Sequence, residues 1–294
     1  MSDVLSWGLD VVRSVQTLAS PGLTTAMKIV SLAGSMEFYI AFLPLVYWCV
    51  DRRKGVRLGI TLLVSAFLNL WLKALLLQPR PYQLDQSVML DTADSWGLPS
   101  GHAQGSAVFW GSLAILFKKT ILIAAAIVLP LLVGFSRVYL GVHFPTDVFA
   151  GWGIAVLCLT VFFLFGEKAG LFFRNLDRRY KIIAVAAIAL GMNFLMKSDS
   201  MPAGAFLGAG IGFVIVSENL RFSAGGSARM RILRYLAGMT TTLLVYLAPK
   251  YLIGDMFPSQ AYLIRFIRYA AVGGWTSLGA PWLFLRLKLA VLEE

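Results

Sequence analysis

Charge is scarce in this chain: Asp, Glu, Lys and Arg make up only 14% of its 294 residues, against 58% hydrophobic residues, and the mean hydropathy is +0.75. An ordinary soluble domain carries about 25% charged residues, so the composition excludes one and leaves a polytopic membrane protein. Acidic residues are scarcer still, 15 against 26 basic ones, for a net charge of +11. A nucleic-acid groove would need a basic face interleaved with aromatics on a soluble domain. The basic residues here fall in short runs between apolar stretches, the pattern of topology signals, and nucleic acid is excluded as a partner. Cysteine is limited to Cys49 and Cys158, each inside an apolar segment with no CxxC or histidine neighbour. That excludes a thiolate metal site or redox pair and leaves packing roles. There is no internal repeat and no low-complexity tract. The N-terminus lacks the basic, apolar and small-residue succession of a signal peptide, so insertion is expected to be directed by the spanning segments themselves.

What is present is helix-forming and apolar. Residues 4–19 place Val4, Val11, Val15 and Leu18 at helical spacing among Asp3, Asp10, Arg13 and Gln16, which predicts an amphipathic helix at the membrane surface or packed on the bundle. Apolar segments follow at 35–50, 56–77, 102–117, 119–135, 146–165, 181–197, 203–217, 231–249 and 268–285. With roughly 20 residues needed to cross the hydrocarbon core, they predict eight or nine spans in an all-α transmembrane bundle. Gly204, Gly208 and Gly212 stand four apart, spacing that allows close helix approach within the chain or in a homodimer.

Alternating nine spans sorts the basic residues unequally. One set of loops holds Arg52, Arg53, Lys54, Arg57, Lys118, Lys119, Lys168, Arg174, Arg178, Arg179, Lys181, Arg221, Arg229, Arg231, Arg234, Arg286 and Lys288. The other holds Arg13, Lys28, Lys73, Arg80, Arg137, Lys197, Lys250, Arg265 and Arg268. Positive loops stay cytoplasmic, which puts the N-terminus and both histidines on the extracytoplasmic face, with the C-terminus inside. A bacterial inner membrane fits; in an organelle the same rule points the site to the lumen.

His102 and His143 are the only histidines, and histidine is the side chain best suited to proton transfer near neutral pH. On the map of spans, Lys73, Arg80, Ser100, the Gly101 amide, His102, Arg137, His143 and Asp147 converge at one face. Three cations with hydroxyl and amide donors suit a compact polyanion, and the arginine fork suits phosphate. Ser100-Gly101 is placed to begin a helix, whose free N–H groups add to an anion site. Asp147 lies four residues after His143, so a helix opening at Pro145-Thr146 lets the carboxylate orient one ring nitrogen and make the other more nucleophilic. His102, from another helix, is placed to protonate a leaving alkoxide and later deprotonate water. Each residue alone has a plainer reading: an interfacial histidine as a hydrogen-bonded structural group, Lys73 snorkelling, Ser136 as a cap. Their clustering at one depth in a charge-poor chain favours function. Tyr82, Trp96, Phe135, Tyr139, Phe144 and Trp152 flank the cluster as candidate contacts for a lipid tail or as ordinary interfacial aromatics. The polar segment 82–98 is long enough for a small cap, where Asp85, Asp91 and Asp94 either repel product phosphate, pair with the pocket arginines or are simply solvated.

These residues resemble the three signatures of the type 2 phosphatidic acid phosphatase (PAP2) superfamily of integral-membrane phosphatases. Lys73, six residues and Arg80-Pro81 match the first; Pro99-Ser100-Gly101-His102 the second; Ser136-Arg137, five residues, His143, three residues and Asp147 the third. The resemblance covers about residues 56 to 165. It implies a PAP2-like catalytic core at 35–165, preceded by an interfacial segment at 1–34 and followed by additional transmembrane spans at 166–294. It implies that His143 attacks phosphorus to form a phosphohistidine aided by Asp147. His102 would serve as acid and then base, and Lys73, Arg80, Ser100, Gly101 and Arg137 would hold the phosphoryl oxygens. It implies no metal and no cofactor; Asp85, Asp91 and Asp94 lack a supporting ligand cluster.

The expected function is hydrolysis of a phosphomonoester or pyrophosphate on an amphiphilic lipid in the bilayer. Undecaprenyl pyrophosphate, phosphatidic acid, phosphatidylglycerol phosphate and a sphingoid phosphate are all open as substrates, and the extra C-terminal spans resemble the longer sphingosine-phosphate and glucose-6-phosphate phosphatases. The alternatives are a lipid phosphotransferase, a phosphatase of a soluble sugar phosphate, and a lipid-binding or transport protein with a retired site. A haloperoxidase suits a membrane-embedded site less well.

Overall fold

The computed structural model describes residues 3–196, 199–253 and 260–293. Lys197 and the side chain of Lys250 therefore lie outside the described residues. Thirteen α-helices occur among the described residues, with one isolated bridge between Phe222 and Leu292. They are α1 Asp3–Gln16, α2 Pro21–Leu32, α3 Met36–Cys49, α4 Arg52–Leu76, α5 Pro81–Leu84, α6 Gly101–Phe117, α7 Thr120–Tyr139, α8 Pro145–Asn175, α9 Arg178–Leu195, α10 Met201–Asn219, α11 Ala228–Ile253, α12 Ala261–Gly274 and α13 Ala280–Arg286.

Among the described residues, four stretches are long and apolar enough to cross a membrane: Arg52–Leu84, Thr120–Tyr139, Pro145–Asn175 and Met201–Asn219. Helices α2 and α3, bent by 44° at their junction, add a fifth if counted as one broken span. Among the described residues this is fewer than the eight or nine expected. Taken singly, α3 with 14 residues and α6 with 17 are short for the hydrocarbon core, and α9 opens on Arg178, Arg179 and Lys181.

The chain forms two compact units, residues 1–39 with 64–165, and residues 40–63 with 166–294. The division runs through α4 and α8.

In the first unit, α1 buries Leu9 and Val12 against Val88, Ala103, Val138, Phe144 and Val148. Its buried face centres on Leu9 and Val12, with Leu5 and Val11 packed beside them and Val15 against the Tyr139 cluster, while the two ends of the expected stripe, Val4 and Leu18, are 56% and 66% exposed. Two hydrogen bonds explain the choice of face: Gln16 Nε2 donates to the carbonyls of Val88 and Tyr139, both at 2.8 Å. Ser20 caps α2 by accepting from Leu23 N, with Pro21 in the first turn. Lys118, at φ +51°, ends α6 in the left-handed conformation and lets α7 start two residues later. After α7, Gly141 takes φ +72°, and a Cβ there would lie 1.9 Å from the Val88 carbonyl oxygen. This turn is buried through Tyr139, Leu140 and Val142.

In the second unit the core is Tyr47, Trp48, Cys49, Val216, Phe222, Ala224, Ala280, Phe284 and Ala290. A π-helical stretch, Trp275–Gly279, joins α12 to α13. The Tyr47 hydroxyl donates to Ser277 O at 2.7 Å and Trp48 Nε1 to Thr276 O at 2.9 Å, as expected where a wider turn leaves carbonyls open to side chains. Arg234 is buried and donates to the carbonyls of Trp48, Gly225 and Leu289. Lys181 reaches Glu218 at 2.6 Å, and Arg52 reaches Glu293 at 2.6 Å. These three cations are committed to packing, so they weigh less as topology signals than their positions in the sequence suggest.

The glycine stripe of α10 is spent inside this unit. A Cβ at Gly204 would lie 2.4 Å from Phe266 O, and one at Gly208 would lie 1.9 Å from Ala270 O. The stripe faces α12 and offers no surface for a homodimer. Because the atom opposing Gly208 is backbone and cannot rotate away, Gly208→Ala is expected to destabilise the protein by about 3 kcal/mol. A thermal melt in detergent that matches the wild type would contradict this packing.

Candidate active site

The candidate residues reach one locus of the first unit from four directions. Lys73 lies in the last turn of α4, and its Nζ donates to the carbonyls of Trp96 and of Gly97, the latter at 3.1 Å. Arg80 follows α4 and makes a fan of contacts. Nε donates to Ser95 O at 2.6 Å, Nη1 to Val142 O at 2.7 Å, and Nη2 to Trp96 O at 3.1 Å and Ser95 Oγ at 3.2 Å.

His143 sits in the turn between α7 and α8. Its Nδ1 is 3.1 Å from Asp147 Oδ2, and its Nε2 is 3.1 Å from Arg80 Nη1. A guanidinium is always protonated and only donates, so Nε2 must accept. The ring proton therefore sits on Nδ1, which donates to Asp147. The turn is built for this: Pro145 opens α8, Asp147 falls in its first turn, and Phe144 N also donates to Oδ2 at 3.0 Å. Burial holds the imidazole well below the ordinary histidine range, with Arg80, Lys73, Arg137 and His102 pushing the same way. The ring is accordingly neutral at pH 7, with a lone pair on Nε2.

Ser100 caps α6 by accepting from Ala103 N at 3.4 Å, and its own N–H donates to Asp147 O at 2.9 Å. A Cβ at Gly101 would lie 3.1 Å from Asn69 Oδ1. His102 is half-buried in the first turn of α6, and its ring makes no hydrogen bond among the described residues. Arg137 donates through Nη1 to the Ser31 hydroxyl of α2, while its buried Nε has no partner among the described residues. Ser136 spends its hydroxyl on Val133 O at 2.7 Å.

The electrostatics of this cluster are one-sided. Arg80, Arg137 and Lys73 are 2%, 4% and 5% exposed, and the buried carboxylate among them is Asp147, at 0%. Carbonyl oxygens satisfy most of the donors but cancel no charge. Among the described residues, three buried cations face one buried carboxylate, an excess of positive charge that is costly away from water unless an anion completes the site.

Several contacts have little or no signal in the sequence. Gln78 Nε2 donates to Asp147 Oδ1 at 2.6 Å; its signal was only that it is polar among Ala74, Leu75, Leu76 and Leu77. Asn69 donates to Gln104 Oε1 at 2.8 Å, and Gln104 to Ser65 O at 2.9 Å, a buried polar brace between α4 and α6. Ser31 carried no signal. Among the flanking aromatics, Tyr139 and Phe144 are fully buried in the core, so they cannot face a lipid tail; Trp96 and Phe135 are each 44% exposed. Asp85 does not pair with a pocket arginine. It accepts from Arg13 Nη2 of α1 at 2.6 Å and from the Ser87 N–H and hydroxyl, contacts that lower its pKa to about 2, the Ser87 hydroxyl foremost.

Residues 54–171 match the model of the PAP2 superfamily, and residues 200–291 match that of the "PAP2 superfamily phosphatase, transmembrane extension". The chain belongs to the PAP2 superfamily. "Lipid phosphate phosphatase delta" of Arabidopsis thaliana is 28% identical over 55% of this chain, which spans only 42% of that protein. "Sphingosine-1-phosphate phosphatase 2" of Mus musculus is 23% identical over 76% of this chain and 67% of its own length. The crystal structure of a PAP2-type phosphatidylglycerolphosphate phosphatase from Bacillus subtilis superposes with a TM-score of 0.50 at 26% identity, covering 57% of this chain and 88% of that one. The second match agrees with the expected PAP2-like core followed by additional C-terminal helices, and shows that the stretch beyond residue 200 resembles an extension found in this superfamily. The 54–171 match contains Lys73, Arg80, Ser100, Gly101, His102, Arg137, His143 and Asp147. Ser31 and Gln16 precede it.

Proposed function

We propose that this protein hydrolyses a lipid phosphomonoester or pyrophosphate at the extracytoplasmic face of the membrane through a phosphohistidine on His143. The observation that carries the reading is the pairing of a neutral, tautomer-fixed His143 with three buried cations that have one carboxylate among them. His143 Nε2 attacks phosphorus as the bond to the lipid oxygen breaks, and His102 gives that oxygen a proton. His102 then takes a proton from water, which attacks the phosphohistidine and releases phosphate, restoring His143. A phosphoryl oxygen replaces Nε2 as the acceptor of Arg80 Nη1. Lys73, Arg137, Ser100 and the Gly101 amide supply the remaining donors as charge builds on the equatorial oxygens. We assign this catalytic core to 35–165, with 1–34 as an N-terminal segment and 166–294 as the membrane extension, C-terminus in the cytoplasm.

The test is phosphate release by purified protein across sphingoid phosphate, phosphatidic acid, phosphatidylglycerol phosphate, undecaprenyl pyrophosphate and glucose 6-phosphate. Turnover of one or more lipids above the sugar ester is expected. Preference for the sugar ester, or product carrying the phosphate on an added lipid acceptor in place of water, would replace the reading. Because the match to the mouse sphingosine-1-phosphate phosphatase runs over 76% of the chain, the sphingoid phosphate is the first lipid to assay.

The role of His102 has its own signature. His102→Ala is expected to slow hydrolysis of an alkyl phosphate by about 10²-fold or more. An aryl phosphate, whose leaving group needs no proton, should suffer far less. Equal losses with both substrates would remove His102 from the leaving-group step.

A further inference from the structure

The side chain of Gln78 belongs to none of the roles above. It is held close to the reaction nonetheless. The chain leaves α4 with Leu77 in a left-handed conformation, φ +47°, which turns the next residue out of the helix. The Gln78 carbonyl accepts from Gly97 N at 2.8 Å, so its backbone is fixed to the segment whose carbonyls hold Lys73 and Arg80. Its amide then reaches Asp147 Oδ1 at 2.6 Å, the shortest of the hydrogen bonds to that carboxylate; the other two, from His143 Nδ1 and Phe144 N, go to Oδ2.

We propose that Gln78 is a positioning residue for the reaction, acting through Asp147 to hold His143 in its attacking tautomer and to keep the ring neutral. The proposal rests on the reading of His143 as nucleophile. Asp147 is fully buried, so water does not replace a lost donor. With the Gln78 amide in place, the carboxylate charge is shared between both oxygens. Without it, more of that charge is directed at His143, which favours the imidazolium, and a protonated ring cannot attack phosphorus. The other charged or titratable groups acting on His143 are Arg80, Lys73, Arg137 and His102, all of which oppose its protonation. Lys73 and Arg80 also act on Asp147. Gln78 is thus a neutral side-chain donor that tempers the buried carboxylate beside three cations.

The sign follows directly. Removing the amide raises the pH below which His143 is protonated, so the acid limb of kcat/KM moves up. Gln78→Leu is expected to shift that limb upward by about one pH unit, the scale of a lost hydrogen bond to a charged group. It should also lower kcat on the plateau by about tenfold or more, as loss of a partner behind a working histidine does, with KM within about twofold because Gln78 is not assigned to the phosphate. Gln78→Glu keeps the size and provides a second variant should the first not fold. While protonated, its carboxyl still donates to Asp147; once ionised, two carboxylates face each other. Its activity should therefore fall as pH rises across a range where the wild type is flat. Either signature in protein with an unchanged melting temperature supports the proposal. Wild-type pH limbs in both variants, or a loss of activity that only tracks a loss of thermal stability, overturns it. Wild-type protein without turnover on any lipid phosphate overturns the nucleophile reading as well, so the two failures are distinguishable.

Discussion

Replacing His143 with alanine is expected to lower phosphate release by about 10⁴-fold or more and to leave no phosphoenzyme, because the atom that would bond to phosphorus is gone and nothing nearby replaces it. Lys73, Arg80 and Arg137 keep their charge in the variant, so substrate should still bind, and the loss should fall in kcat. The change also leaves Asp147 Oδ2 with only the Phe144 N–H and frees Arg80 Nη1, which still donates to Val142 O. A binding assay with a lipid phosphate alongside the rate measurement separates the cases. Weak binding together with lost turnover would make His143 a structural residue of the anion site.

Asp147→Asn should be nearly as damaging, by about 10³-fold or more, on the scale seen when the carboxylate behind a catalytic imidazole is neutralised. The geometry makes this a clean experiment. An asparagine at 147 can present its oxygen to His143 Nδ1 and Phe144 N, and its amide to Gln78, whose own amide needs only to turn over to offer Oε1. The packing and the hydrogen-bond count survive, and what is removed is the negative charge that stabilises the ring as phosphorus bonds to Nε2. A variant that retained more than a tenth of wild-type turnover would reduce Asp147 to a tether.

The candidate constellation is legible in the sequence because it consists of polar islands in a chain otherwise starved of charge. The His143 to Asp147 contact needs only a helix that opens at Pro145, and Ser100 capping α6 is equally local. Contacts that depend on tertiary approach were not legible. Ser31 reaches Arg137 from 106 residues away, and Gln16 bridges Val88 and Tyr139 across 72 and 123 residues. Apolar residues misled for a different reason. In a membrane protein, lipid and core are equally apolar, so hydrophobicity does not distinguish the faces of a helix. Thus Tyr139 and Phe144, plausible lipid contacts by position, are core, and Val4 and Leu18 are exposed while Leu9 and Val12 are buried. The glycines of α10 announced a close helix contact but not its partner, which is α12 of the same chain. Asp85, an acid beside a cationic site in the sequence, is turned to Arg13 and Ser87.

The claim on which the mechanism stands is that phosphorus bonds to His143 Nε2 during turnover. Purified protein mixed with ³²P-labelled lipid phosphate, quenched in alkali within the first turnovers and digested for mass spectrometry, tests it directly. The account predicts an alkali-stable, acid-labile phosphoryl group on the peptide that contains His143, at the Nε2 position and absent from the His143→Ala variant. Label on His102 instead, or turnover with no protein-bound phosphate at any quench time, would contradict it.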